Sequence, residues 1–328
     1  MLNITCIVPS LCSEKSYAII KRCIFSLRNA EAISKKVNLK IIVVSNGKQI
    51  VLKDLSNEID HLLRYKKRYS FAAMNNKAIK FAIKKDKPDW IMLLNDDAFI
   101  RNDFFSQFLK TIDQEKDIEV VAPLVYEDGT KIIDSYGVEY FNSGYAKNNN
   151  KISTQTQLAS AACLLVKKTL MKQIFDKYGF YFNEILTSYM EDVDLALRIR
   201  AQNKKIIKSK TMIVDHIVSF TNKRKSYYVM YHTYRNILWL IIMDWPLINI
   251  IKNLHNITLV QCWIIIFNLS AGRPLLYLKV LFDTAKNFKE LIQYRNKIIK
   301  SYNNKFDFAD ILSRYAFRTY QGYKIRLF

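Results

Sequence analysis

The sequence predicts a Rossmann-like α/β fold, a mixed sheet flanked by helices, followed by a C-terminal helical region. Three observations carry this. Short β-branched runs alternate with helical periodicity through the first half of the chain. The apolar run Ile91-Met92-Leu93-Leu94 ends abruptly in Asn95-Asp96-Asp97, as a buried strand does when its tip reaches a polar edge. After about residue 220 the alternation stops and aromatic and Ile-rich stretches take over, with 17 basic against 5 acidic residues over 221–328.

In chain order, strands are expected at 4–9, 39–44, 62–65, 90–95 and 119–122. Between the first two, Ile19, Ile20, Cys23, Ile24 and Leu27 recur at helical spacing and form one apolar face. A second helix is expected over 71–84, where Ala72, Ala73, Ala78, Ile79 and Ile83 allow close packing on a sheet. Asp128-Gly129 reads as a turn between strands, so antiparallel strands join the sheet after residue 120. Apolar runs at 158–166 and around Met212 add further strand candidates. In the basic region, 237–243 and 257–269 are too short or too interrupted to cross a bilayer, which takes about 20 apolar residues. Leu275, Leu278, Leu281 and Phe282 mix with Lys279, Lys286 and Lys289 as in an interfacial helix; an ordinary bundle helix is the alternative.

A chain of 328 residues that is 50% hydrophobic can bury a full core. A net charge of +22 points to contact with a polyanion: nucleic acid, an anionic membrane or a phosphorylated ligand. The five cysteines are odd in number, scattered and without C-x-x-C spacing, which indicates neither a zinc site nor a disulfide framework and fits a reducing cytosol. The N-terminus runs almost directly into a strand, so export is not expected.

Carboxylates beyond a strand tip can hold Mg²⁺ or Mn²⁺, with substrate phosphates completing the shell. A plain polar loop is the alternative for Asn95-Asp96-Asp97. At the start of an amphipathic helix, Glu191-Asp192-Val193-Asp194 has two uses. Ser188-x-x-Glu191 fits a capping box, and a carboxylate there can also serve as a general base; Glu191 capping while Asp192 acts satisfies both. His216 follows a strand-like run that can return it to the acidic edge. Arg235, among the aromatics of Tyr231-His232-Thr233-Tyr234-Arg235-Asn236 and after Lys223-Arg224-Lys225, suits phosphate recognition, with a solvated basic loop as the alternative.

The order of these pieces over residues 3–240 resembles the family 2 glycosyltransferases of GT-A fold, in particular the rhamnosyl- and galactofuranosyltransferase-like branch of bacterial surface-polysaccharide synthesis. The resemblance is carried by Ile4-Thr5-Cys6-Ile7-Val8-Pro9-Ser10, Ile41-Ile42-Val43-Val44-Ser45-Asn46, the paired Asn75-Asn76, Leu93-Leu94-Asn95-Asp96-Asp97 as a DXD-type element, Ser160-Ala161-Ala162-Cys163, Glu191-Asp192-Val193-Asp194-Leu195-Ala196-Leu197-Arg198, His216 and Tyr234-Arg235-Asn236. It implies a catalytic domain over 1–220, with a nucleotide-sugar half of about 1–100 and an acceptor half of about 101–220, and a basic, amphipathic region over 221–328. Catalysis falls to Asp192 with Glu191; a divalent ion, Mg²⁺ or Mn²⁺, to Asp97, Asn95 and His216; and the donor to Pro9, Ser10, Ser45, Asn46, Asn75, Asn76, Asp96 and Arg235. The implied reaction is an inverting transfer from a nucleotide-diphosphate sugar to a glycan or polyprenyl-linked acceptor. It is expected on the cytoplasmic side of an anionic membrane, with self-association allowed and no nucleic acid as partner. Ser45 stands where the family usually carries a base- or ribose-reading aspartate, and Leu11-Cys12 where it carries a Y-N pair. The rivals are an inactive relative acting as a scaffold, a nucleotidyltransferase, which would want a glycine-rich loop where Pro9-Ser10-Leu11-Cys12-Ser13 has none, and a basic nucleic-acid-binding protein.

Overall fold

The computed structural model describes residues 1–45, 53–114, 117–152, 156–217, 226–318 and 324–325. Its first half runs β1 (Leu2–Ser10), α1 (Glu14–Ser34), β2 (Val37–Ser45), β3 (His61–Arg64), α2 (Phe71–Lys85), β4 (Trp90–Leu94), β5 (Ala98–Ile100) and α3 (Phe104–Gln114). It continues with β6 (Val120–Glu127), β7 (Ile133–Ser135), β8 (Val138–Phe141), β9 (Ala146–Asn148), β10 (Cys163–Lys167), α4 (Lys168–Tyr178), α5 (Glu191–Ala201) and β11 (Ile207–His216). Helices α6 (Tyr227–Asp244), α7 (Leu247–Lys252), α8 (Leu254–Ser270) and α9 (Pro274–Lys300) follow. This is the expected mixed α/β sheet with a helical C-terminal region.

The main sheet has the order β3-β2-β1-β4-β10-β6-β11-β5, with β7 beside β6. Strands β1 to β4 are mutually parallel where they pair. Because both faces are covered, β1 is buried without interruption from Ile4 to Ser10, and a near-continuous apolar run is what such a strand requires. Helix α1 supplies Ile20, Cys23, Ile24 and Leu27 to one face; α2 supplies Ala72, Ala78 and Ala82 to the other, and their small side chains let its backbone sit close. Ser70 starts α2 by accepting from the Ala73 amide at 3.2 Å.

Strand order reverses between β1 and β4. In an open α/β sheet this leaves a crevice beyond the strand C-termini, because the connecting helices diverge to opposite faces there. Ser10 and Ser45 are register partners at its rim. Strand β10 enters antiparallel to β4, with Cys163 opposite Leu94, so the residues just before β10 share the rim with those just after β4. Strand β11 runs parallel to β6 and brings His216 opposite Ala98 of β5.

One expectation is corrected here: strand structure does not stop near residue 220. Leu312–Ser313 pairs in parallel with β8, where Tyr140 and Phe141 present backbone groups that would otherwise form an open edge. The C-terminal region also packs into the sheet layer through aromatic rings. Trp245, fully buried, donates from Nε1 to Tyr140 Oη at 2.8 Å and lies 5.4 Å from the Phe308 ring. At Gly144, between β8 and β9, φ is +80° and a Cβ would lie 2.5 Å from Ile241 Cδ1 on α6, so only glycine fits against the helix.

Trp245→Ala is expected to cost about 3–5 kcal/mol of unfolding free energy, and Tyr140→Phe, which loses one hydrogen bond, about 1 kcal/mol, both measured by urea denaturation.

Candidate active site

The strand β4 tip delivers Asn95, Asp96 and Asp97 to the crevice rim. The Asn95 amide donates to the Ala162 carbonyl at 3.0 Å, fixing where the acids begin. Asp96 hydrogen-bonds the Ser10 hydroxyl at the end of β1; burial outweighs that bond and, helped by the charge of Asp97, pushes its pKa up to about 6. Asp97 is buried and points at His216, Oδ1 to Nε2 at 3.1 Å. On the other side of the imidazole, Nδ1 lies 3.1 Å from Asp134 Oδ2 of β7. Burial acts to lower the His216 pKa, but its hydrogen-bonded carboxylates Asp134 and Asp97 win and raise it to about 9.

These groups suit a divalent ion. Carboxylate and imidazole donors converge, and the second carboxylate orients the ring from behind, as for metal-ligating histidines generally. No cluster of three or more His, Cys, Asp or Glu side chains shaped for a metal occurs among the described residues. An ion held by Asp97 and His216 would take its remaining positions from water and ligand oxygens, the mode usual for Mg²⁺ and Mn²⁺. Asp134 was invisible in the sequence, since a lone acid in a three-residue strand gives no spacing signal.

Asp192, in the first turn of α5, is half-buried and its carboxylate is held at both oxygens. The Ala161 amide donates to Oδ2 at 3.3 Å and the Val193 amide to Oδ1 at 2.8 Å. Burial raises its pKa against those two amides and the Ser160 hydroxyl. Asn95 and Asp192, far apart in sequence, are therefore bonded to the adjacent residues Ala162 and Ala161. Glu191 is buried with no hydrogen bond to Oε2 among the described residues; burial, then the charge of Asp192, pushes its pKa well above the usual carboxylate range.

The expected capping box does not form. Helix α5 starts at Glu191 behind Met190, which makes no side-chain cap, so Ser188 lies outside it. The cause is the preceding loop, where Thr187, Tyr189 and Met190 have φ of 63°, 67° and 68°. Left-handed backbone at three non-glycine residues is costly and persists only when its surroundings impose it. Asn236 of α6 imposes it, Nδ2 meeting the carbonyls of Leu186 at 2.9 Å, Ser188 at 3.0 Å and Tyr189 at 2.6 Å. Arg235, expected at phosphate, is buried, with Nη2 on the carbonyls of Leu186 at 2.9 Å and Ile185 at 3.3 Å. Asp194 and Arg198, both fully buried, form an i,i+4 ion pair inside α5, and Arg198 also donates to the Tyr181 carbonyl at 2.6 Å.

The other expected donor residues scatter in role. Pro9 is buried within β1, and the Ser45 hydroxyl donates to the Leu11 carbonyl at 3.3 Å. Asn75 bonds the Phe71 carbonyl one turn back in α2, at 3.0 Å. Asn76 ties α2 to the stretch ahead of α5, accepting from the Phe182 amide at 2.8 Å and donating to Glu184 at 2.9 Å. Asn46 and Lys223-Arg224-Lys225 lie outside the described residues.

A family model described as "Glycosyl transferase family 2" matches residues 5–175. No significant match is found among curated proteins. Among solved structures, S. aureus TarS is similar at 18% identity and TM-score 0.50, covering 75% of this chain and 40% of that one. GalNAc-T7, solved with UDP, GalNAc and Mn²⁺, has 13% identity and TM-score 0.56, with coverages of 78% and 50%. The mannosyltransferase PcManGT of Pyrobaculum calidifontis, solved with GDP-Man and Mn²⁺, has 12% identity and TM-score 0.50, with coverages of 91% and 85%. The chain thus spans half or less of the TarS and GalNAc-T7 chains, and at these identities the likeness is one of fold.

Arg198→Ala, which strands the Asp194 carboxylate in the core, is expected to lower unfolding free energy by about 3–5 kcal/mol, and the double variant Asp194→Leu/Arg198→Met to recover most of it, read by urea denaturation.

Proposed function

The chain belongs to glycosyl transferase family 2, and on that premise we propose that it moves a sugar from a nucleotide-diphosphate donor to a hydroxyl of a glycan acceptor, with inversion at the anomeric carbon. The observation that supports this is that Asn95, which opens the acidic tip of β4, and Asp192, at the start of α5, bond the adjacent residues Ala162 and Ala161, so both acidic segments share one stretch of main chain just before β10.

Asp192 acts as general base. Its two oxygens are fixed by main-chain amides, so a lone pair remains aimed without a search over rotamers as the acceptor hydroxyl gives up its proton and attacks the anomeric carbon. Burial holds the Glu191 carboxyl well above the usual carboxylate range, which disfavours a second negative charge beside it. Asp97 and His216 would hold Mg²⁺ or Mn²⁺, which when bound stabilises the charge developing on the leaving diphosphate. Ser10 and Asp96 line the donor side of the crevice. Arg235 and Asn236 serve as positioning residues that fix the loop entering α5, and Asn76 secures the stretch before it. Residues 1–220 form the catalytic unit and 221–328 the unit that meets the acceptor's surroundings.

The acceptor is a polyprenyl-linked glycan of surface-polysaccharide synthesis, met at the inner face of the cell membrane. Supporting this, thirteen of the twenty exposed large hydrophobic side chains among the described residues lie between Leu247 and Phe288, including Ile266 at 65%, Leu275 at 71% and Phe282 at 68%. Lysines 279, 286 and 289 are interspersed with them, which matches an anionic lipid surface. No described helix is long and apolar enough to cross a membrane.

With a panel of nucleotide-sugars and Mn²⁺ or Mg²⁺, wild type is expected to hydrolyse or transfer one donor, Asp97→Ala to lose its stabilisation by that donor in a thermal shift, and Asp192→Asn to drop kcat by about 10²–10⁴-fold. No donor acted on by wild type would remove the proposal. Because burial raises the Asp192 pKa and only the ionised form accepts a proton, the acid limb of the kcat profile is expected above the usual aspartate value of about 3.9, activity falling as pH falls. Vesicles rich in phosphatidylglycerol should bind wild type at low salt and release it at high salt, and Leu278→Asp/Phe282→Asp should not bind.

A further inference from the structure

Five aromatic rings form a continuous ladder beside the Asp192 loop, and the chemistry assigned so far uses none of them. It begins at Tyr189, three residues before Asp192, whose ring centroid lies 6.3 Å from that of Tyr228. Tyr228 also places its hydroxyl 3.4 Å from Ser188 Oγ. Its ring is 4.3 Å from His232, which is 5.0 Å from Tyr231, and Tyr231 stacks with Tyr227 at 6.3 Å and an interplanar angle of 8°. The far end reaches α9, where the Tyr231 hydroxyl donates to Asp283 and the Lys279 ammonium sits 5.2 Å from the Tyr231 ring. The ladder thus runs from the proposed base to the helix bearing the exposed apolar side chains Leu275, Leu278 and Phe282.

Rings at helical spacing ordinarily belong to a core; here Tyr231 packs against it and Tyr189 and His232 are half-buried, while the other two rings are open to solvent. Tyr227 is 50% exposed and Tyr228 45%. His232 is no cation at neutral pH, since burial and then the charge of Arg235 lower its pKa to about 4. The surface therefore offers the exposed rings of Tyr227 and Tyr228, backed by three half-buried rings, with a polar border of hydroxyls, an imidazole, one carboxylate and one ammonium. Ring faces carry negative quadrupole and attract weakly positive C–H groups. A sugar offers such C–H groups on one face and hydroxyls around its edge, so it matches both the faces and the border.

We propose that the ladder of Tyr189, Tyr228, His232, Tyr231 and Tyr227 is the acceptor subsite, where one or more sugar rings of a lipid-anchored glycan stack as its terminal hydroxyl is presented to Asp192. This rests on the glycosyl-transfer reading above and names the substrate group that site takes. The anchored end of the acceptor leaves along α9 toward the lipid-facing side chains, while its free end lies at Tyr189.

The experiment uses full-length wild type, Tyr228→Ala, Tyr228→Phe and Tyr227→Ala, with octyl β-D-glucopyranoside, octyl β-D-galactopyranoside and octyl α-L-rhamnopyranoside as acceptors and the nucleotide-sugar panel as donors. The expected result is that each alanine variant, its thermal melt checked first, lowers the ratio of sugar transferred to donor hydrolysed by about tenfold through a raised acceptor KM, while Tyr228→Phe stays near wild type. An unchanged ratio in the alanine variants overturns the proposal. So does a Phe variant as impaired as the Ala variant, because stacking needs the ring and not the hydroxyl. Loss of vesicle binding without a change in the ratio also overturns it, since that marks a membrane-interface belt instead. Saturation-transfer contacts from wild type to glycoside ring protons, reduced in Tyr228→Ala, test the subsite without any donor. A wild type that consumes no donor yet gives these contacts strikes the glycosyl-transfer reading alone; absence of the contacts strikes the subsite.

Discussion

The side-chain amide of Asn236 shares its two hydrogens among the carbonyls of Leu186, Ser188 and Tyr189, and the arrangement around Asp192 depends on that clamp. A backbone with left-handed residues at 187, 189 and 190 does not hold itself, because each such residue is a few per cent conformer for an L side chain. Fully buried, Asn236 has no water to exchange these bonds with, so breaking them would leave donors and acceptors unpaired in the core. Arg235 adds bonds to the same loop and stacks over Trp239 at 4.1 Å, which ties the clamp to the interior of α6. Helix α6 is consequently part of what shapes the loop before α5 and not an appendage to the sheet.

Electrostatics set a second constraint. The protein carries +22 overall, yet Asp96, Asp97 and Asp134 gather around His216, and Glu191 and Asp192 open α5. The long-range field would draw an anionic ligand toward the protein, while the local carboxylates would repel it on arrival. Burial opposes part of this by raising the pKa values of Glu191, Asp96 and Asp192, which disfavours their charged forms. A cation between Asp97 and His216 would resolve the rest, turning repulsion at that point into attraction.

Much of the fold was legible because buried parallel strands and amphipathic helices write their periods directly into sequence. The expected helix over 71–84 and the strand over 90–95 differ from α2 and β4 only at their ends. What sequence could not carry was partnership across the chain. Ser188-x-x-Glu191 has the spacing of a capping box, but the conformation that decides the matter is set by Asn236, 48 positions beyond Ser188. Asp134 behind His216 and the Ser160-Ala161 contact with Asp192 were likewise hidden, since each depends on strand register and not on local pattern. Arg235 reads as a phosphate contact because it stands among aromatics, and Asn75-Asn76 as donor contacts through the family resemblance; in the structure each also bonds main chain, a partnership no local pattern carries.

Strand β10 runs against its parallel neighbours, so it offers the rim its beginning where they offer their ends. What arrives there is main chain: the amide of Ala161 and the carbonyl of Ala162. These groups are common to almost every residue type. The contact to Asp192 therefore does not depend on which side chain stands at 161, and only proline, which has no N–H, would erase the bond itself. What limits the side chain there is the core around it, since Ala161 is buried, and a larger residue would be felt through packing and not through the hydrogen bond.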